Sequence, residues 1–171
     1  MRAVWAAGLL ACVLGCRMLG AETHYGVSGN DLNFGEVNLV LEDEDGSRVQ
    51  GVPFLLVGQG QLPAEYEGGS FDRFSLGQKL RLPFRIGAGR VLLYVEGGAM
   101  VSYYQAEAIS TPFELEMLGG GGVMVDLGDG WSLDLGARVR HPAGNGNDHD
   151  EPTHAPHATE PEFILGVRKD F

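Results

Sequence analysis

The chain has 171 residues, 44% of them hydrophobic, and its 23 acidic against 12 basic side chains give a formal charge of −11. That balance repels polyphosphate and excludes nucleic acid as a partner. Both cysteines, Cys12 and Cys16, fall in the first segment, so a conventionally cleaved chain has no disulfide framework and no thiol chemistry.

In chain order, Arg2 precedes an apolar stretch from Val4 to Gly15 that is too short to cross a bilayer as a helix and has the form of a secretory signal. Small residues at Gly20-Ala21 offer a cleavage site, which gives a leader over residues 1–21 and a single domain over residues 22–171. A lipoprotein signal at Val13-Leu14-Gly15-Cys16 is the alternative, with Leu14 where a smaller or branched residue is usual. Loss of Arg2 and Arg17 with the leader lowers the charge by two, from −11 to −13. Nothing downstream approaches a transmembrane helix, so a membrane role has to use strands.

The segments that follow have a side-chain period of two and come close to the ~10 residues of a tilted membrane strand. A first strand is expected near Thr23 to Gly29. Asn33 to Asp43 sets Val37, Leu39 and Leu41 against Glu36 and Asn38. Gly51 to Gln61 carries Phe54 and Leu56 against Gln59 and Gln61, with Leu55 and Val57 blurring the alternation. Phe71 to Phe84 opposes Phe74, Leu76, Leu80, Leu82 and Phe84 to Arg73, Ser75, Lys79 and Arg81. Val91, Leu93, Val95, Ala99 and Val101 then oppose Tyr94, Glu96 and Ser102, and Phe113, Leu115, Met117, Val123, Val125 and Leu127 oppose Glu114, Glu116 and Asp126. Trp131 to His141 alternates almost without fault, and Phe163, Leu165, Val167 and Phe171 close the chain against Arg168 and Asp170.

About eight strands of this kind predict an all-β, eight-stranded antiparallel up-and-down β-barrel. A soluble lipocalin-like calyx would bury the apolar rows inside, and alternation alone does not separate the two. Charge favours the transmembrane form: the polar rows hold both signs at mid-strand, able to neutralise one another in a narrow lumen, while the apolar rows are almost uncharged. Lys169, near a strand end, can reach the interface with its stem. The tight turns Gly87 to Arg90 and Gly128-Asp129-Gly130 then lie on the side of the termini, and Tyr104 to Thr111 and Gly144 to Glu160 form the longer loops opposite. The run Glu42-Asp43-Glu44-Asp45 reads as a solvated turn, with a calcium site as the alternative.

Trp131, Tyr103 and Tyr104 read as interfacial anchors. Gly119 to Gly122 is no phosphate loop, since neither a Gly-Lys-Ser/Thr element nor a helix accompanies it; it permits curvature, close packing or room for an acyl chain. The loop containing His149, His154 and His157 with Asp148, Asp150 and Glu151 has ligand chemistry for zinc, but no i/i+4 spacing fixes it and its proline-rich composition favours a solvated excursion. No cofactor is expected. One ionisable group breaks the pattern: His141 has the parity of Trp131, Leu133, Leu135, Ala137 and Val139 and so ends an apolar row.

From Val91 to Phe171 the chain resembles the outer-membrane lipid A 3-O-deacylases, also described as acyloxyacyl hydrolase-like proteins. The resemblance lies in Tyr94-Val95-Glu96-Gly97-Gly98, Thr111 to Leu115, the glycine cluster, Gly130-Trp131-Ser132-Leu133, Arg138-Val139-Arg140-His141 and an aromatic-terminated last strand. It implies export to the bacterial outer membrane, contact with lipid and lipopolysaccharide, and hydrolysis of an ester-linked acyl chain of lipid A. The family's His-x-Ser-Asn word makes His141 the general base, with an acid at the start of the last strand fixing the imidazole tautomer. Here the word reads His141-Pro142-Ala143-Gly144-Asn145: Ala143 stands at the nucleophile position, and Asn145 meets the asparagine position only through a bulge. Parity places Pro161 where the acid belongs, leaving Glu160 and Glu162 as neighbours, of which Glu160 can reach His141 from an irregular strand start. Impaired or lost serine-hydrolase activity is therefore expected, with activated or metal-bound water as the substitute nucleophile, and a non-catalytic structural or glycolipid-binding barrel is the alternative.

Overall fold

A computed structural model describes residues 16–28, 32–43, 48–62, 69–87, 89–107, 112–143 and 159–171. Alternating sequence gives eight strands: β1 (Cys16–Ser28), β2 (Asn33–Asp43), β3 (Gln50–Gln61), β4 (Ser70–Arg85), β5 (Val91–Gln105), β6 (Phe113–Gly128), β7 (Trp131–Pro142) and β8 (Glu160–Asp170). Each pairs antiparallel with its sequence neighbours, and β1 pairs with β8, so the sheet closes with no edge. No helix occurs among the described residues. The predicted eight-stranded up-and-down barrel is the fold.

The wall is inverted relative to a soluble protein. Leu76, Phe113 and Leu165 are 68%, 65% and 51% exposed on the outside, whereas Arg73, Lys79, Arg81, Glu116 and Glu162 are each fully buried in the lumen. An apolar band outside a charged interior suits lipid, and full closure satisfies every strand without water.

Ion pairs run the length of the lumen. Arg140 bonds Glu160 at 2.5 Å and also Glu116, which accepts a hydrogen bond from Arg73 at 2.7 Å. Arg138 bridges Glu162 at 2.6 Å and Glu36 at 2.7 Å, Lys79 donates to Glu36 at 2.6 Å, and Arg81 joins Glu96 at 2.9 Å and Glu22. Towards the long-loop end Leu32, Phe34, Leu62, Phe71 and Tyr104 add an apolar cluster. The lumen is a packed core.

Three local readings change, and the close packing expected at the glycine cluster takes a definite form. β1 starts at Cys16, well before Thr23, because Gly20 and Ala21 pair with Asp170 and Lys169 on one side and Val40 and Leu39 on the other. On β3 the lumen takes Phe54 and Leu56, while Leu55 and Val57 face out with Gln59 and Gln61. Both rows of β3 are apolar, so its neighbours decide: Lys79 lies 4.9 Å from the Phe54 ring centroid, giving the aromatic a cation to cover inside. Tyr104 is no outer anchor, since its hydroxyl donates to Glu116 at 2.9 Å in the lumen, whereas Tyr103 and Trp131 face out. The glycine cluster has an inward use: a Cβ at Gly122 or Gly136 would lie 2.6 or 2.7 Å from the Tyr94 hydroxyl, which reaches across both glycines to donate to Asp134 at 3.0 Å.

The β6–β7 turn is as tight as expected, with positive φ at Gly128 (93°), Asp129 (53°) and Gly130 (72°). It lies with connections 44–49 and 86–90 at the end holding the start of β1 and the end of β8. The opposite end carries connection 143–159.

Candidate functional site

β7 places His141 near its end on the long-loop side, exposed on the outer wall. The alternation that puts Asp134, Arg138 and Arg140 in the lumen puts Leu135, Ala137, Val139 and His141 outside. Its β6 neighbour in the ladder is Met117, which is 56% exposed, and Val139 is 48% exposed one step along the row. The imidazole thus sits in an apolar surround, accessible from the side of the barrel.

The polar partner of His141 is Thr159, whose Oγ1 lies 2.7 Å from Nδ1. Thr159 immediately precedes β8, one rung beyond the Arg140↔Glu160 pair, so it stands opposite His141 and shares its outward parity with Pro161 and Phe163. Sequence reading missed it. The available signal was parity, because a hydroxyl one residue before Glu160 must face away from the acid once the strand is regular.

Glu160 and Glu162 sit on the other side of the wall. Glu160 is held by Arg140 at 2.5 Å, and Glu162 by Arg138 at 2.6 Å and Arg73 at 3.5 Å. β8 is regular from Glu160 onward, so the irregular start that would swing this acid towards His141 is absent. Ala143, in contrast, is exposed just beyond β7 with the parity of His141, and its N–H donates to Leu115 O at 2.8 Å. A side chain there shares the outer face with the imidazole. Asn145, His149, His154 and His157 lie outside the described residues.

Gly97 on β5 and Gly119 on β6 are opposite one another, and Gly119 is opposite Val139 on β7. A Cβ on Gly119 would meet nothing within 4 Å, so open space lies over this bare stretch of the outer wall.

A second histidine, His24 on β1, occupies the lumen. Its Nε2 lies 3.0 Å from Asp134 Oδ2, and its Nδ1 is 2.9 Å from Asn38 Nδ2 and 3.4 Å from Glu36 Oε1. Glu22, His24 and Asp134 bring one potential metal-ligand atom each within 4.8 Å of one another, but Glu22 is also ion-paired with Arg81, and Asp134 accepts from Tyr94. These groups satisfy each other as a hydrogen-bonded core. A cavity of about 350 Å³, lined by residues including Arg85, Arg90, Asp126 and Arg168, opens at the end of the barrel that holds the termini, far along the wall from His141.

No protein-family model and no curated protein matches the chain. Solved barrels do. Neisserial surface protein A (NspA) is 13% identical at a TM-score of 0.65, over 92% of this chain and 99% of that one. The N-terminal β-barrel domain of Pseudomonas aeruginosa OprF is 12% identical at 0.60, over 92% and 98%. The outer membrane enzyme PagL is 15% identical at 0.57, over 89% and 99%. At these identities the likeness is one of fold.

Proposed function

We propose that this chain is a bacterial outer-membrane barrel that acts on an ester-linked acyl chain of lipid A, with the serine-dependent route of the family it resembles closed by Ala143. The observation that supports the reading is an imidazole on the lipid-facing surface at the long-loop end of β7, hydrogen-bonded to a hydroxyl at 2.7 Å. A substrate held in the outer leaflet approaches a barrel from the side, so a base meant for it belongs on the apolar face. The fold it shares with outer-membrane proteins, one of them an enzyme, supports the location. Residues 1–21 are the proposed export leader, although its last residues coincide with the start of β1; the N-terminal mass of the membrane-inserted chain decides where it is cut.

The test is mass spectrometry of lipid A after incubation with the purified barrel in detergent, beside a His141→Ala barrel. Loss of one hydroxyacyl chain that depends on His141 is the expected result. Unchanged lipid A with a folded, heat-modifiable barrel favours a second reading, a structural or glycolipid-binding barrel. The methyl group at position 143 and the lumenal location of Glu160 and Glu162 are the observations on that side.

A further inference from the structure

We infer that Thr159 is the nucleophile of this site and His141 its general base, so that a threonine just before the facing strand β8 replaces the serine missing at the end of β7. The inference rests on the deacylase reading and names the group that performs it. Both residues are exposed on the outer face, opposite one another, at a distance of 2.7 Å between Oγ1 and Nδ1. That is the contact by which a hydroxyl is activated by an adjacent base. Ala143 has no hydroxyl, and Glu160 and Glu162 are committed to arginines in the lumen. Among the described residues, Thr159 is the hydroxyl hydrogen-bonded to His141.

The arrangement uses the imidazole protonated at Nε2, with Nδ1 accepting from the threonine. Thr159 Oγ1 attacks the ester carbonyl carbon while its proton passes to Nδ1. The tetrahedral adduct collapses, the bond from the carbonyl carbon to the sugar oxygen breaks, and the imidazolium returns the proton to that oxygen. Water then adds to the acyl-threonine, giving a proton to Nδ1, and collapse of this second adduct releases the fatty acid and restores the hydroxyl. The exposed apolar side chains of Met117 and Val139, with open space over Gly119 beside them, give the acyl chain a surface to lie on.

Full-length barrel in detergent, with hexa-acylated lipid A as substrate and a biotinylated fluorophosphonate as active-site probe, tests the assignment. Each variant is first checked for heat-modifiable migration, so that unfolding is not read as lost chemistry. Expected results are a probe adduct on the peptide carrying Thr159, loss of adduct and fatty-acid release in Thr159→Ala, and retention of both in Thr159→Ser. Release that persists in Thr159→Ala, or an adduct elsewhere, overturns the assignment while leaving the deacylase reading standing. Release that falls in Thr159→Ala with no adduct in the parent barrel also overturns it, since Thr159 would then only accept from Nδ1–H and orient the ring. No release from the folded parent barrel removes the deacylase reading itself.

Discussion

Two histidines on opposite faces of the same barrel wall show what each face asks of an ionisable group. His24 in the lumen is surrounded by Asp134, Glu36 and Asn38 within 3.4 Å, in a core where neighbouring charges are fixed by partners on other strands. His141 on the outside has Thr159 beside it and apolar side chains around it. The first is held by a network and contributes to the packing of the core. The second is held by one contact and is exposed on the outer face, as the proposed activity requires.

The contrast predicts unequal costs. The largest effect is expected for Arg138→Met, which leaves Glu36 and Glu162 buried without their shared cation; breaking a buried pair costs about 3–5 kcal/mol. Urea unfolding in detergent should show a stability loss of that size, read as the midpoint shift times the m-value, and an unshifted midpoint would show that the ion chain is replaceable by water. Next comes Leu135→Arg on the outer row of β7. A cation at the lipid-facing midplane costs about 2–4 kcal/mol when folding is measured into bilayers. A neutral result would mean that this face meets water.

His24→Leu is a milder break in the lumen. It takes one partner from both Asp134 and Glu36, which keep Tyr94 and the Lys79 and Arg138 cations, so the loss is that of individual hydrogen bonds, about 0.5–1.5 kcal/mol each. His141→Ala, at an exposed position, should shift stability by no more than about 0.5 kcal/mol. Equal losses from the two histidine variants would remove the distinction between core and site.

How much of this was legible follows from what a period of two encodes. Strict alternation on β7 places His141 outside and Arg138 and Arg140 inside without reference to any other strand. The same rule places Glu160 and Glu162 in the lumen once β8 is regular from its first residue; what it lacked was the point where regularity begins. β3 was not legible because Phe54, Leu55, Leu56 and Val57 are apolar in succession, so the face is chosen by the cations on neighbouring strands. The start of β1 was hidden for a related reason, since after Arg17 the expected leader runs on into Met18, Leu19, Gly20 and Ala21 with no polar row to mark the pleat. Parity alone turns Thr159 outward, but placing it opposite His141 needs the register across connection 143–159, which no local pattern carries.

The smallest structural change offers a sharp test of the outer face. Ala143→Ser adds one oxygen at an exposed residue whose backbone is already tied to β6 through Leu115, so stability should move by less than about 0.5 kcal/mol. Its chemical effect is expected to depend on Thr159. In the parent barrel the serine adds a second hydroxyl near an imidazole already paired, and fatty-acid release should rise modestly. In a Thr159→Ala barrel the imidazole has lost its partner, and the serine should restore release from background, with any fluorophosphonate adduct now on the peptide of β7. A folded double variant that stays silent would mean that the wall around His141 no longer positions an ester, so that restoring a hydroxyl to this strand is insufficient. The outer histidine would then belong to a surface that binds glycolipid without cutting it, and the difference between the two faces of the wall would be one of solvent alone.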